Sequence, residues 1–265
     1  MSEIHTGIRG ILFDKDGTLI DFDSIWIPLA FELTDKLLVN GSVPAELREE
    51  HRQTLLRKIG IDENGGMAPG SVYASGTEQE LAEVLYRSAE KLRFTLPDYD
   101  SFFTDIHRDV ASYMDGHRHS ISPVPKASQT LAALRELGLI LGVSTSDSEE
   151  NTRLCLEETE LLPYFQYIGC PNASRNPKPS GDILLDFSNR FGILPEEIAV
   201  VGDTAVDIAF AKKNHAGLAI AVMNGAGGHD ELARKADYVL PGISGLLCGG
   251  QPIWEIRGSE CAAVR

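Results

Sequence analysis

The sequence predicts an α/β fold, a doubly wound parallel sheet with an all-helical domain inserted after its first strand. Three observations predict it. Short apolar runs alternate with helical periods from residue 127 onward, the pattern of a parallel sheet with crossover helices. Residues 21–122 carry helical periods and no strand pattern. Acidic residues stand at or just after the ends of two apolar runs, at Asp14 and Asp203. Open parallel sheets bind ligands there, beyond the carboxyl ends of their strands.

The elements follow in order. Residues 8–14 (Ile-Arg-Gly-Ile-Leu-Phe-Asp) read as a short buried strand. The insert then opens with Ile25, Leu29, Leu33, Leu37 and Leu38 on one helical face, followed by Leu47, Leu55, Leu56 and Ile59 on a second. Thr77 and Glu80 have capping-box spacing and open a third helix, with Leu81, Val84, Leu85 and Leu92 on its apolar side. Phe102, Phe103, Ile106, Val110 and Met114 mark a fourth. The link at residues 65–70 is loop-rich, and Ser122-Pro123-Val124-Pro125 is a stiff return to the sheet. Helices are expected over 127–137, 149–161, 182–191, 205–214 and 229–236, and strands over 139–145, 165–169, 198–202, 218–222 and 238–240. The resulting division is a core of residues 1–20 and 123–248, a helical insert of 21–122, and a tail of 249–265 whose weak periodicity suggests fraying.

Composition narrows the function. With 265 residues, 43% hydrophobic and 24% charged, the chain can bury a large core and is neither disordered nor fibrous. A net charge of −15 repels nucleic-acid backbones and anionic lipid, so neither is expected as a partner. No apolar run approaches the ~20 residues of a membrane span. The polar start, Met1 to Arg9, does not read as a signal peptide. Cys155, Cys170, Cys248 and Cys261 form no CxxC pair, and reduced thiols in the cytoplasm are expected.

Four segments carry chemistry. Asp14-Lys15-Asp16-Gly17-Thr18 places two carboxylates two residues apart at a strand end, where Gly17 lets backbone N–H groups approach an anion. One carboxylate can attack phosphorus and the other can protonate the leaving oxygen, then deprotonate water. Asp203 and Asp207 share one side of a helix start, and hard oxygen ligands from two loops suit Mg²⁺. Lys178 is held between Pro177 and Pro179, rigid enough to pair with carboxylates and an incoming phosphate. Thr145 and Ser146 follow a strand and precede a helix, where hydroxyls can meet phosphate oxygens; Ser146 or Asp147 is expected to cap that helix. Taken singly, these segments also read as an acidic turn, a solvated helix start, a surface lysine and a helix cap.

Together, in this order and spacing, they resemble the four motifs of the haloacid dehalogenase (HAD) superfamily of phosphohydrolases, over Ile11 to about Leu240. The resemblance implies a Rossmann-like core with a type-1 helical cap at 21–122. It makes Asp14 the nucleophile and Asp16 the acid/base, with Lys178 the third-motif lysine. It assigns Gly17, Thr18, Thr145, Ser146 and Lys178 to the substrate phosphate. Asp14, Asp203 and Asp207 would hold Mg²⁺, with the backbone carbonyl of Asp16. At Ser146 a hydroxyl stands where many relatives carry an amide, and the insert is longer than the usual type-1 cap. The implied activity is Mg²⁺-dependent hydrolysis of a small phosphorylated metabolite through an aspartyl phosphate, within a branch similar to phosphoglycolate phosphatases. Substrate reading is expected from residues 65–76 and from Phe22, Trp26 and Arg118, whereas His117 and His119 read as solvated linker.

Other readings share parts of this pattern. A mutase of the β-phosphoglucomutase type would use the same two acids. A phosphoacceptor signalling module also combines acids, a hydroxyl and a lysine, but would need neither Asp16 nor a lid. A dehalogenase would not need Asp16. A phosphonatase would need a desolvated lysine in the insert, where Lys36 and Lys58 are the positions considered. An inactive scaffold would have no use for the full set of groups. The sequence leaves a monomer and a homodimer equally open.

Overall fold

The structure, a computed structural model, describes residues 7–256. It divides into two compact units: the described parts of Met1–Asp21 and Ser122–Arg265 form one, and Phe22–Ile121 the other. In chain order, β1 (Gly10–Phe13) leads to the second unit, made of α1 (Trp26–Asn40), α2 (Arg48–Ile59), α3 (Val72–Ser75), α4 (Glu78–Lys91) and α5 (Tyr99–Gly116). The first unit resumes with α6 (Ala127–Glu136), β2 (Ile140–Ser144), α7 (Glu149–Glu158), β3 (Tyr167–Gly169) and α8 (Asp182–Phe191). It continues through β4 (Ile198–Gly202), α9 (Ala205–Lys213), β5 (Leu218–Val222), α10 (His229–Lys235) and β6 (Tyr238–Leu240) to a short pair, β7 (Leu247–Cys248) and β8 (Gln251–Pro252).

Strands β1–β6 form one parallel sheet in the order β3-β2-β1-β4-β5-β6. Its central strands β1, β4 and β5 are buried along their whole length. That explains why they read as unbroken apolar runs, since both faces are covered. One buried cluster joins Leu12, Val200 and Ala219 of the sheet to Leu184 and Phe187 of α8 and Ile208 of α9. The first two crossovers run one way from β1, and the next three strands lie on its other side. The switch point therefore falls between the carboxyl ends of β1 and β4.

The helical unit follows its apolar periods. α1 buries Leu29, Leu33, Leu37 and Leu38, and α5 buries Phe102, Ile106, Val110 and Met114. The Thr77–Glu80 capping box forms, with the Glu80 N–H donating to Thr77 Oγ1 at 3.2 Å and the Thr77 N–H to Glu80 Oε2 at 2.7 Å. Trp26 and Phe22 pack together, and the Tyr73 hydroxyl donates to the Trp26 carbonyl at 2.6 Å.

Several expectations need correction. Leu47 lies in a 3-10 turn ahead of α2 and is exposed, because the helix period begins one residue later. The link at residues 65–70 is a loop as expected, but the short helix α3, capped by Ser71, follows it and was not expected. His117 stacks on Tyr113 at 3.9 Å between ring centroids and bonds its carbonyl, so it is packed and not a solvated linker. The tail does not fray at residue 249. β8 pairs with β7, and Ile253 and Trp254 are buried; residues 257–265 lie outside the described part. Cys155 and Cys170 are free and buried, but Cys248 is disulfide-bonded, contrary to the expectation of four reduced thiols. Cys261 lies outside the described residues. No described helix is long and apolar enough to cross a membrane.

Candidate active site

The site begins with sheet register. Phe13 of β1 stands beside Val201 of β4, and the Asp14 N–H donates to the Val201 carbonyl at 2.8 Å. Asp14 and Asp203 are the residues next along these neighbouring strands, so the switch point brings them together. Helix α9 then starts immediately, with Thr204 as its N-cap. Asp207 turns back on that cap and accepts from the Thr204 N–H at 3.0 Å and from Thr204 Oγ1 at 2.6 Å. Asp14, Asp203 and Asp207 are all buried, and each offers a carboxylate oxygen within 4.8 Å of the others.

Lys178 supplies the counter-charge. Its Nζ donates to Asp14 Oδ1 at 2.6 Å and to Asp207 Oδ1 at 2.5 Å. The proline segment that carries it is pinned at both ends. The Asn176 N–H and side-chain amide donate to Asp182 Oδ2, both at 2.8 Å, and Asn214 Nδ2 donates to the Pro179 carbonyl at 3.2 Å. A flexible lysine is thereby held in one place at little further entropy loss.

Two backbone loops close around Asp203. Gly17 has φ +76°, and a Cβ there would stand 2.6 Å from Asp203 Oδ2. Only glycine meets both the left-handed conformation and the close approach. Thr18 Oγ1 donates to Asp203 Oδ1 at 3.2 Å. On the other side, the Ala226 N–H donates to Asp203 Oδ2 at 2.8 Å, and a Cβ on Gly225 would fall 2.0 Å from that same oxygen. The Gly225-Ala226-Gly227-Gly228 loop did not figure in the reading of the sequence. Its signal was present, however: a glycine run just beyond the carboxyl end of the strand at 218–222 marks close backbone approach.

The electrostatics follow from burial. Burial pushes the Asp14 carboxyl up to about 7; Lys178 opposes this, and the charges of Asp207 and Asp16 add to it. Burial, with the charges of Asp14 and Asp207, also holds Asp203 well above the ordinary carboxylate range against the Ala226 N–H and Lys178. Burial works against the Lys178 ammonium, but Asp14 and Asp207 outweigh it and hold its pKa above the ordinary value. One lysine thus faces three buried acids, a surplus of negative charge that a divalent cation would relieve. Three carboxylates as hard oxygen donors fit Mg²⁺, which takes few protein ligands and keeps waters.

Asp16 takes a different place from Asp14. Its carboxylate is held by Lys15, with Nζ–Oδ1 3.0 Å and Nζ–Oδ2 2.9 Å. Lys15 is fully buried and also donates to Asp147 Oδ2 at 2.8 Å. No local pattern in the sequence marks this lysine. A charged residue between two acids at a turn looks solvated, and nothing in the spacing shows that the ammonium turns inward. Burial opposes its charge, but Asp147 and Asp16 hold its pKa well above the ordinary value.

The second-motif residues sit at the end of β2. Thr145 is buried, its N–H donates to the Gly169 carbonyl at 3.0 Å, and its Oγ1 accepts from the Asp147 N–H at 3.1 Å. Ser146 is half-buried on the same turn. The cap of α7 is neither Ser146 nor Asp147. Ser148 fills that role, accepting from the Asn151 N–H at 3.1 Å, because it is the residue directly before the helix, which starts at Glu149 as expected.

These strand-end groups are the point at which comparison with known proteins decides the family. The model for haloacid dehalogenase-like hydrolases matches residues 8–215. The chain belongs to the haloacid dehalogenase-like hydrolases. The phosphoglycolate phosphatase of Salmonella typhi is 25% identical over 213 residues, which covers 77% of each chain. Among solved structures, a predicted phosphoglycolate phosphatase from Haemophilus somnus 129PT matches with a TM-score of 0.68 at 19% identity, over 91% of this chain and 97% of that one. A β-phosphoglucomutase candidate from Thermotoga maritima matches with a TM-score of 0.62 at 17% identity, over 91% and 97%. The two structures share the fold, a Rossmann-like core with an inserted helical cap. Family membership makes this HAD protein a hydrolase, and the phosphatases among its relatives identify phosphate esters as the branch of that chemistry.

Proposed function

We propose that this HAD hydrolase is a Mg²⁺-dependent phosphomonoesterase. It would act on a small phosphorylated metabolite, of the phosphoglycolate class, through an aspartyl phosphate on Asp14. The observation that carries the reading is the convergence of Asp14, Asp203, Asp207 and Lys178 at the switch point between β1 and β4.

In this reading Asp14 attacks in line. Its Oδ forms a bond to phosphorus as the ester P–O bond breaks, and the leaving oxygen takes a proton from Asp16. Asp16 then accepts a proton from water as the water oxygen attacks phosphorus, and the bonding pair returns to Asp14. Lys178 and the hydroxyl and N–H groups of Gly17, Thr18, Thr145 and Ser146 orient the phosphoryl oxygens and meet the charge that spreads over them. Mg²⁺ would be held by Asp14, Asp203 and Asp207 with the Asp16 carbonyl, and when bound it supplies positive charge toward those oxygens. The helical unit is the proposed source of leaving-group selection. Neither insert lysine considered for a Schiff base suits that chemistry: Lys36 pairs with Glu32 and Asp109, and Lys58 is exposed. The cytoplasm is the proposed setting.

The test is phosphate release from 2-phosphoglycolate, sugar phosphates, nucleotides and an aryl phosphate, with and without Mg²⁺, using Asp14→Asn protein as the blank. Mg²⁺-dependent release absent from the blank is expected. No release from any ester would overturn the reading in favour of phosphoryl transfer or a signalling role.

A further inference from the structure

We infer that Lys15 is a positioning residue for Asp16, and that Asp147 anchors it. This inference rests on the phosphatase reading above and adds two residues to it.

Lys15 has no exposed side-chain surface. An ammonium removed from water is costly unless it is fully paired, and an apolar side chain of the same length would fill this space without that cost. Packing alone therefore does not account for a lysine here. Its Nζ lies 2.9–3.0 Å from both oxygens of Asp16 and 2.8 Å from Asp147 Oδ2. Asp147 is fixed in turn, because its Oδ1 accepts from the Ser148 N–H at 2.7 Å and from Asn151 Nδ2 at 3.2 Å, where α7 begins. The Asp147 N–H donates to Thr145 Oγ1. The chain of contacts therefore runs from the start of α7 through Asp147 and Lys15 to Asp16, and the same turn carries the candidate phosphate-binding hydroxyl. Asp16 stands beside the Gly17 turn, and Lys15 engages both of its carboxylate oxygens. Lys15 holds the carboxyl at one angle relative to the turn that seats the phosphate, and proton transfer to the leaving oxygen depends on that angle.

The proton matters only for a poor leaving group, which gives the test a readout that a structural role would not move. We would measure kcat/KM, which reports events through departure of the alcohol, for wild type, Lys15→Met and Lys15→Met/Asp147→Asn. The esters are 2-phosphoglycolate and glycerol 2-phosphate, which need the proton, and 2,4-dinitrophenyl phosphate, which does not. In both variants kcat/KM should fall about 10²-fold for the alkyl esters and less than about 5-fold for the dinitrophenyl ester. Equal losses on all esters would overturn the inference. So would recovery of the alkyl esters in the double variant, which would mean that Lys15 only neutralises Asp147. If Lys15→Met does not fold, Asp147→Asn alone should show the same ester dependence at about 10-fold, and its absence there would overturn the inference as well. Wild type inactive on all three esters would overturn the phosphatase reading and this inference with it. An active wild type with ester-independent variants overturns this inference alone.

Discussion

The two units of the molecule use charge in opposite ways. In the sheet unit, the ion pairs of the site are drawn in from solvent, and all but the neighbours Lys15 and Asp16 join separate segments: Lys178 with Asp14 and Asp207, and Lys15 with Asp147. In the helical unit, most pairs are neighbours on one helix surface: Lys36 with Glu32, Arg52 with Glu49, Arg87 with Glu83, and Arg108 with Asp105. Exposed pairs at three- and four-residue spacing contribute little and are screened by salt. Buried pairs cost desolvation, so their presence needs a reason beyond stability. The difference teaches that this chain places its charge chemistry at strand ends, while charge on the helices chiefly serves solvation.

The sharpest way to break that comparison is to remove the strand-end acids. Asp14→Asn should reduce phosphate release to the blank, and Asp16→Asn should lower kcat roughly 10²–10⁴-fold. Substantial turnover by purified Asp14→Asn protein would end the nucleophile assignment. Next in size is the loop behind Asp203. Gly225→Val would push a side chain into Asp203 Oδ2, and Mg²⁺ affinity measured by calorimetry should weaken about 10–100-fold. Unchanged affinity would mean that Asp203 does not depend on that loop.

A smaller effect should appear in stability against pH. The folded Asp14 carboxyl, raised to about 7 from an ordinary value of 3.8, binds protons that the unfolded chain has released. Stability falls with rising pH wherever the folded state holds more protons. Metal-free protein should therefore lose Tm between about pH 4 and pH 7, and Mg²⁺ should raise Tm more at pH 8 than at pH 5. A metal-free Tm that rises across this window would contradict the burial argument. The smallest effect is expected in the helical unit. Arg87→Ala removes an exposed pair with Glu83 and should change stability by no more than about 0.5 kcal/mol, with kcat unchanged, in denaturant titrations and phosphate-release assays. A loss of activity there would show that charge in the helical unit does more than meet solvent.

The same contrast governs what could be read from the sequence. β1, β4 and β5 were legible because strands buried on both faces are continuous apolar runs, and α8 fell at 182–191 because its period and its glycine stop agree. Asp14, Lys178 and Asp203 were legible because each stands at a strand end or between prolines, and Asp207 because it follows Asp203 at the spacing of one helical turn. Lys15 was not, because the direction of one side chain depends on packing that no local pattern records. The Gly225 loop was visible only as a glycine run, since its purpose lies in an oxygen of Asp203, twenty-two positions earlier in the chain. Trp254 was missed because a single aromatic in a weakly periodic tail gives no period to follow.

The insert leaves and returns at one place: the Asp21 N–H donates to the Ser122 carbonyl at 2.9 Å, and the Val124 N–H to the Leu19 carbonyl at 2.9 Å. β1 is thus separated from both of its partners, for Gly10 pairs with Ile140 on one side and Ile198 on the other. During synthesis the central strand is made first and gains its second neighbour only when β4 emerges. At ribosomal rates, roughly 10–40 s pass between the emergence of β1 and that of β4. Until then the apolar run that will present Asp14 has at most one neighbouring strand, β2. The newborn chain must be kept from other chains until its second half arrives.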